Sequence, residues 1–184
     1  SPLADVSLID AIGLMFSDDR VDPTRSNTSL VLNEIWYNEI WFHMEVMLAM
    51  LETLLMALLG TFFAALFGLP LAFLAAQNIT PFEVVRFGLR RLFDLLRGID
   101  MLIWSLIFLR AFGPGLFTGA FAIAFTDTGT LGKLMSEAIE NADAKQQEGV
   151  RSTGAKKTLQ HRFGILPQIM PIFISQTLYY FESN

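Results

Sequence analysis

The chain has 184 residues, of which 53% are hydrophobic and only 17% charged, and its net charge is −5. A mean hydropathy of +0.46 and this low charge do not suit an ordinary soluble domain, in which roughly 25% of residues are charged. The sequence contains no cysteine, which excludes disulfides and thiolate metal sites within it. It begins at Ser1 and stops at Asn184 just after an apolar run, and we expect a fragment that lacks both ends.

The first 44 residues are polar and acidic, and an aromatic cluster closes them. The cluster consists of Trp36, Tyr37, Trp41 and Phe42. Aromatic residues with polar edges favour the surface of a bilayer, so we predict a helix at 30–45 that lies on that surface. A carbohydrate-binding aromatic patch is the alternative interpretation.

Long uncharged runs follow and predict membrane-spanning helices. No charged residue occurs between Thr53 and Phe82, a run of 30 positions, where roughly 20 residues are enough to cross a bilayer. Arg110 is the only charge between Met101 and Thr126, and Gly113-Pro114-Gly115 divides that stretch into predicted spans at 98–112 and 116–134. Another 19 uncharged residues run from Phe163 to Phe181. We therefore predict four spans and an all-α, polytopic membrane helix bundle, with a very buried soluble helical protein as the alternative.

Basic residues are distributed unevenly, and this orients the predicted spans. Ten of the 13 Lys and Arg residues fall in 77–100 and 133–162, whereas 1–45 has two basic residues against eight acidic ones. A four-span topology puts the two basic segments on one side, which the positive-inside rule makes cytoplasmic. Residues 1–44 are then predicted to be extracytoplasmic.

Small residues recur every fourth position in the first predicted span. They are Gly60, Ala64, Gly68, Ala72 and Ala76, which we call the small-residue stripe. Small side chains let two membrane helices approach closely, so the stripe predicts a packed bundle rather than a lone anchor.

No catalytic or cofactor motif is present. The stretch DTGTLGKLMS at 127–136 resembles a phosphate loop, but Asp127 and Leu134 stand where that loop needs Gly and Ser or Thr. The two histidines, His43 and His161, fall on opposite sides of the predicted membrane, which disfavours a metal site or a catalytic triad. We expect no enzyme, no cofactor, no metal site and no nucleic-acid partner, since topology accounts for the basic residues.

Ionisable residues in or near the spans are candidates for a transport pathway. Glu52, Asp100 and Arg110 lie near span ends, where their side chains reach water, and Asp127 falls deeper. Glu182 follows a long apolar run without an evident partner, and we name Glu182, Ser183 and Asn184 as possible pathway-lining residues.

The cytoplasmic segment from Lys133 to Arg162 is too long for a simple turn, and its apolar residues recur at helical spacing. Gly154 follows Ser152-Thr153 and predicts a break between two short helices. Such a helical corner between two spans suits docking to a partner, and an ordinary basic loop is an equally good interpretation of the pattern alone.

The same segment carries a family resemblance. Glu148-Gly149-Val150, Gly154 and Leu166-Pro167 resemble the EAA loop of ABC-transporter permeases, which reads Glu-Ala-Ala, three residues, Gly, nine residues, Ile, one residue, Leu-Pro. Gly149-Val150 replaces the Ala pair, and Gly164 fills the Ile position. The stretches at 128–140, 148–155 and 165–184 are similar to the phosphonate and phosphite permease branch, with the terminal YFESN especially characteristic.

This resemblance implies a type I ABC importer in the bacterial inner membrane. Residues 45–184 would be part of the transmembrane domain, and about 137–167 the loop that couples it to the ATPase. The loop residues carried over are Glu148, Gly149, Gly154, Ala155, Leu166 and Pro167. The implied partners are cytoplasmic ATPase subunits, an extracytoplasmic solute-binding protein, a second permease subunit in a homodimer, and the lipid bilayer.

The resemblance implies transport of a phosphonate or a related phosphorus oxyanion. Three alternatives remain: an ABC permease for another small solute, a secondary transporter or channel that works without ATP, and a membrane enzyme. The secondary transporter predicts more paired charges inside the membrane and does not need the pattern at 148–167.

Overall fold

Nine α-helices and one π-helical turn account for the fold of the residues that the structure describes. The computed structural model describes residues 3, 6–37 and 42–184, in two units, Ser1–Thr53 and Leu54–Asn184. The helices are α1 (Leu8–Met15), α2 (Asn27–Tyr37), α3 (His43–Ala75), α4 (Glu83–Gly98), α5 (Met101–Phe112), α6 (Leu116–Glu140), α7 (Ala144–Ser152), α8 (Lys157–Gln160) and α9 (Leu166–Ser183). The π-helical turn, His161–Ile165, joins α8 to α9.

The first unit is a small helical pair, α1 and α2. Its core consists of Leu3, Ala11, Leu30 and Val31. The Asn27 side chain holds the connecting loop, because its Oδ1 accepts from the Val21 N–H at 3.2 Å and its Nδ2 donates to the Asp19 carbonyl at 2.7 Å. Of the helix predicted at 30–45, α2 contains 30–37 and α3 contains 43–45, and residues 38–41, including Trp41, lie outside the described residues.

The small-residue stripe on α3 packs against α6, as the sequence predicted. A Cβ on Gly60 would overlap the side chain of Ile123, and a Cβ on Gly68 would lie 3.3 Å from the Cβ of Leu131. Ala64, Ala72 and Ala76 are fully buried. Because residue numbers rise together along this contact, α3 and α6 run parallel.

Helices α4 and α5 follow one another in the opposite direction along α6. Gly129 and Gly132 of α6 lie against Phe93 of α4. Farther along, the Trp104 ring of α5 lies 5.2 Å from that of Phe125, and the Phe112 ring lies 5.9 Å from that of Phe121. The two helices together therefore make one pass along the length of α6.

This arrangement corrects the span predicted at 98–112. Helix α5 has 12 residues, too few to cross a bilayer, for which roughly 20 are needed. Helix α4, Glu83–Gly98, supplies the first half of the pass. The hydropathy pattern missed this because α4 carries four arginines.

Helix α9 also runs opposite to α6. Ile169, near its start, packs with Met135 and Ile139 near the end of α6, and Asn184 reaches Asp127 farther back along α6. Leu54–Asn184 therefore contains four alternating passes: α3, α4 with α5, α6, and α9. By length and composition, only α3 among the described residues is long and apolar enough to cross a membrane by itself.

The all-α helix bundle predicted from the sequence is confirmed, since the described part of the chain contains no strand. Large apolar side chains cover the outer face of α3, including Leu58, Phe62, Leu66 and Phe67, each at least half exposed. An apolar exterior around a core of small residues is typical of helices that pack inside lipid.

Candidate functional site

The predicted corner at Gly154 forms between two short helices. Asp143 caps the N-terminus of α7, where its side chain accepts from the Lys145 N–H at 2.9 Å. After α7 the chain turns at Gly154, which has φ +78° and donates its N–H to the Arg151 carbonyl at 3.0 Å. We call the segment from Asp143 to Ile165 the elbow.

The predicted coupling residues occupy different parts of the elbow. Glu148 and Gly149 lie exposed on α7. Ala155 is half-buried before α8, and its carbonyl accepts from Gln160 Nε2 at 2.7 Å. Helix α8 begins at Lys157, two residues after Ala155. Exposure leaves the side chains of α7 free for a partner.

Gln168 fastens the elbow to α9. Its Oε1 accepts from the Asp143 N–H at 2.9 Å, and its Nε2 donates to the Gly164 carbonyl at 2.5 Å. One side chain thus ties the start of α7 to the start of α9. No feature of the sequence singled out Gln168, since its partner lies 25 residues earlier.

The contact between α7 and the π-helical turn explains why Gly164 stands at the usual Ile position. A Cβ on Gly164 would lie 3.1 Å from the Cα of Gln147, so a branched side chain there would push α7 away. A Cβ on Gly149, the other departure from the loop pattern, would meet no atom within 4 Å. Packing therefore favours glycine at position 164 and places no restriction on position 149.

The elbow ends in the hydrophobic core of the bundle. Ile165 and Ile169 are each 1% exposed and pack with Met135 and Ile139 of α6, as well as with the end of the small-residue stripe. Leu166 packs against the same cluster, and Pro167 is the second residue of α9. The elbow is therefore in direct contact with both α6 and α9.

Ion pairs hold α4 to α6 at the same end of the bundle. Arg90 pairs with Glu140, whose Oε1 also accepts from the Gln77 N–H at 2.7 Å. Asp94 accepts from Lys133 Nζ at 3.4 Å. Several basic residues of the segments predicted to be cytoplasmic are thus engaged in contacts within the bundle.

The three pathway candidates at the end of α9 differ in their surroundings. Glu182 is exposed, and Ser183 donates its hydroxyl to the Tyr180 carbonyl at 3.3 Å. Asn184 Nδ2 donates to Asp127 Oδ2 at 2.7 Å and to Thr61 Oγ1 at 3.2 Å. The sequence indicated that Asp127 lies deeper than the other ionisable residues, but it did not indicate Asn184 as its partner.

The chain matches known transport proteins over most of its length. Residues 68–184 match the family model described as "Binding-protein-dependent transport system inner membrane component". This region includes most of the bundle and the whole elbow.

Curated relatives share between a third and a half of their aligned residues with the chain. It is 41% identical over 133 residues to the phosphate-import permease protein PhnE of Mycolicibacterium smegmatis, covering 72% of this chain and 25% of that protein. It is 37% identical over 136 residues to the phosphite transport system permease protein PtxC of Stutzerimonas stutzeri, covering 73% and 49%. It is 49% identical over 63 residues to a cryptic phosphonate transport system permease protein, PhnE2, of Escherichia coli, covering 34% and 52%. The chain thus spans between a quarter and about half of the length of these relatives.

A solved structure shares the fold. The crystal structure of an amino acid ABC transporter with histidines superimposes with a TM-score of 0.57 at 21% sequence identity, covering 71% of this chain and 64% of that one. At this identity the similarity concerns the fold alone.

Proposed function

We propose that the chain forms part of the translocation pathway of an ATP-driven importer, because it belongs to the family of binding-protein-dependent transport system inner membrane components. In this proposal a separate ATPase supplies the energy, an extracytoplasmic binding protein delivers the solute, and a second permease subunit completes the pathway as a homodimer. The chain itself carries out no covalent chemistry.

The connection between the elbow and the core is the observation that carries this proposal. The exposed helix α7 is tied by Gln168 to the start of α9, and Ile165 lies in the cluster shared with α6. Close-packed interiors are nearly incompressible, so a movement imposed on α7 reaches α6 and α9 without being absorbed. This is the arrangement that an ATPase needs in order to change a membrane pathway from its cytoplasmic side.

The proposed solute is a phosphonate, phosphite or related phosphorus oxyanion. The support is the similarity to relatives named for phosphate, phosphite and phosphonate transport, at 37–49% identity. An ABC permease for another solute is the alternative, because the fold itself does not determine the substrate.

The proposed topology places the elbow in the cytoplasm and residues 1–44 outside the cell membrane. The alternating directions of the four passes and the ten basic residues in 77–100 and 133–162 support it. The membrane domain then extends over 45–184, with the coupling loop at about 137–167.

The substrate assignment predicts the outcome of an uptake experiment. The permease, reconstituted in proteoliposomes with the ATPase and binding protein encoded beside it, is expected to accumulate radiolabelled phosphite or methylphosphonate only when ATP is supplied. Vesicles that contain a hydrolysis-deficient ATPase are the control. Accumulation without ATP would indicate a secondary transporter, and ATP-driven uptake of an unrelated solute alone would refute the substrate class.

The topology predicts which introduced cysteines react with an impermeant maleimide. Arg25 and Gln146 are both exposed, and the sequence has no cysteine of its own to interfere. In intact spheroplasts, Arg25→Cys is expected to be labelled and Gln146→Cys to be labelled only after lysis. The reverse pattern would invert the proposed orientation.

A further inference from the structure

A polar cluster forms where two buried side chains, on α3 and α6, meet the exposed residue that follows α9. Thr61 of α3 is 2% exposed and Asp127 of α6 is 5% exposed. The carboxamide of Asn184, the residue that follows α9, joins them, with its Nδ2 2.7 Å from Asp127 Oδ2 and 3.2 Å from Thr61 Oγ1. Both hydrogens of that amide are therefore engaged.

The Asp127 carboxylate has no cation beside it. None of the ion pairs within the described ranges includes Asp127, and the pairs that do occur involve Glu83, Asp94 and Glu140 instead. A buried carboxylate with only neutral partners is costly, and ionisable groups inside a membrane bundle are as a rule functional. Packing of α3 on α6 does not need it, because Gly60 and Gly68 supply the close contacts on either side.

The cluster lies midway along the bundle. Asp127 is near the middle of α6, about 20 Å from the end that the elbow contacts, since an α-helix rises about 1.5 Å per residue. Solute sites of membrane transporters commonly lie near the bilayer midplane, where the route is reached from either side in turn.

We propose that Thr61, Asp127 and Asn184 form a hydrogen-bonding site for the transported oxyanion, in which Asp127 accepts a hydrogen bond from the P–OH group. This inference rests on the proposed function. It specifies the solute as an oxyanion that still carries an acidic hydrogen, such as hydrogen phosphite, hydrogen phosphate or a hydrogen phosphonate.

The hydrogen-bond donors and acceptors of the cluster suit such a solute. An ionised carboxylate only accepts hydrogen bonds, whereas the amide of Asn184 and the hydroxyl of Thr61 can donate to the unprotonated oxygens of the solute. The arriving P–OH takes the place of the Asn184 N–H on Asp127 and releases that amide to bind the anion. Sulfate has no hydrogen to offer, so the carboxylate repels it.

The lack of a cation beside Asp127 also fits a site of passage. A cluster of Arg or Lys side chains would hold an oxyanion tightly. Conduction requires that a solute bind well enough to enter and weakly enough to leave. The side chains of Thr61, Asp127 and Asn184 belong to three separate segments of the chain. When those segments move apart, the site is lost and the solute is released.

Saturation-transfer NMR on the permease complex in nanodiscs tests the site directly, because it detects weak binding through the methyl protons of methylphosphonate. The wild type is expected to give a signal that phosphite displaces and that sulfate at the same concentration does not. Asp127→Asn retains an acceptor for Asn184 and should fold, but loses the charge-assisted bond, so methylphosphonate should bind about tenfold more weakly. Sulfate should then compete.

Thr130→Val is the matched control. It lies on the same helix, and its hydroxyl donates only to the Thr126 carbonyl of that helix, at 3.2 Å. This variant should keep wild-type affinity and wild-type exclusion of sulfate. An equal loss in Thr130→Val, or no loss and continued exclusion of sulfate in Asp127→Asn, would overturn the inference.

Failure of this site and failure of the proposed function give different results. If the wild-type complex performs ATP-driven phosphite uptake but yields no methylphosphonate signal, the site is refuted and the function stands. If it takes up no phosphorus oxyanion at all, the proposed function fails and this inference fails with it.

Discussion

Replacing Gly129 by alanine is expected to destabilise the permease strongly, although the change adds only one methyl group. The new Cβ would lie 2.7 Å from the Cβ of Leu96, 2.8 Å from the backbone N of Arg97 and 3.0 Å from the carbonyl O of Phe93. Two of these three atoms are backbone, so α4 itself must move rather than a side chain. Overpacking of this kind costs about 1–3 kcal/mol and sometimes more.

The displacement would spread because α4 is held to α6 at several points. Moving α4 away from Gly129 also strains the contact between Phe93 and Gly132 and the pair between Asp94 and Lys133. We expect a lower yield of membrane-inserted protein and a clear decrease in the midpoint of thermal unfolding of the purified complex.

Gly88→Ala is the control for this experiment. It makes the same exchange on α4, at a position where a Cβ meets no atom within 4 Å. Because alanine favours the helix over glycine, this variant should be unchanged or stabilised by about 0.5–1 kcal/mol. If Gly129→Ala unfolds at the wild-type temperature, α4 does not pack along α6 as described.

The parts of this bundle that the sequence predicted depend on local spacing. The stripe from Gly60 to Ala76 repeats every four residues within one helix, so its buried face could be read without knowing the partner. Gly154 interrupts a helical pattern, and its φ of +78° is one that glycine adopts readily. In both cases the signal and the structure involve neighbouring residues.

The features that the sequence did not predict are contacts between distant residues. Gly129 and Gly132 carry no visible sign of the helix that packs on them, and Glu140 on α6, the partner of Arg90 on α4, lies 50 positions away. The partner of Asp127 lies 57 positions later in the chain. Hydropathy averages over a window, and so it also missed that α4 and α5 together make one pass along the bundle.

Replacing Gly154 by valine is expected to reduce ATP-driven uptake by at least about tenfold while the bundle stays folded. A β-branched residue with φ near +78° is a genuine outlier, and such strain costs on the order of 1–3 kcal/mol. A Cβ on Gly154 meets no atom within 4 Å, so the effect comes from the backbone and not from a clash. The elbow can relieve the strain only by opening the turn, which changes the angle between α7 and α8.

Two further variants separate the turn from added bulk. Asparagine tolerates positive φ better than other residues that have a side chain, so Gly154→Asn should retain a large part of the uptake. Gly149→Val adds the same side chain to exposed α7 at a position with open space and ordinary helical φ, and should leave folding unchanged.

The readouts are uptake, co-purification of the ATPase, and thermal unfolding, measured on the same preparations. The turn hypothesis predicts that uptake and co-purification fall together in Gly154→Val and recover in Gly154→Asn. The unfolding midpoint of Gly154→Val should stay near that of the wild type, because the cluster around Ile165 and Met135 is untouched. Equal losses in Gly154→Val and Gly149→Val would show that bulk on the elbow surface, rather than its angle, is what the ATPase detects. Normal uptake with Gly154→Val would mean that the corner plays no part in transmitting the ATPase movement to α6 and α9.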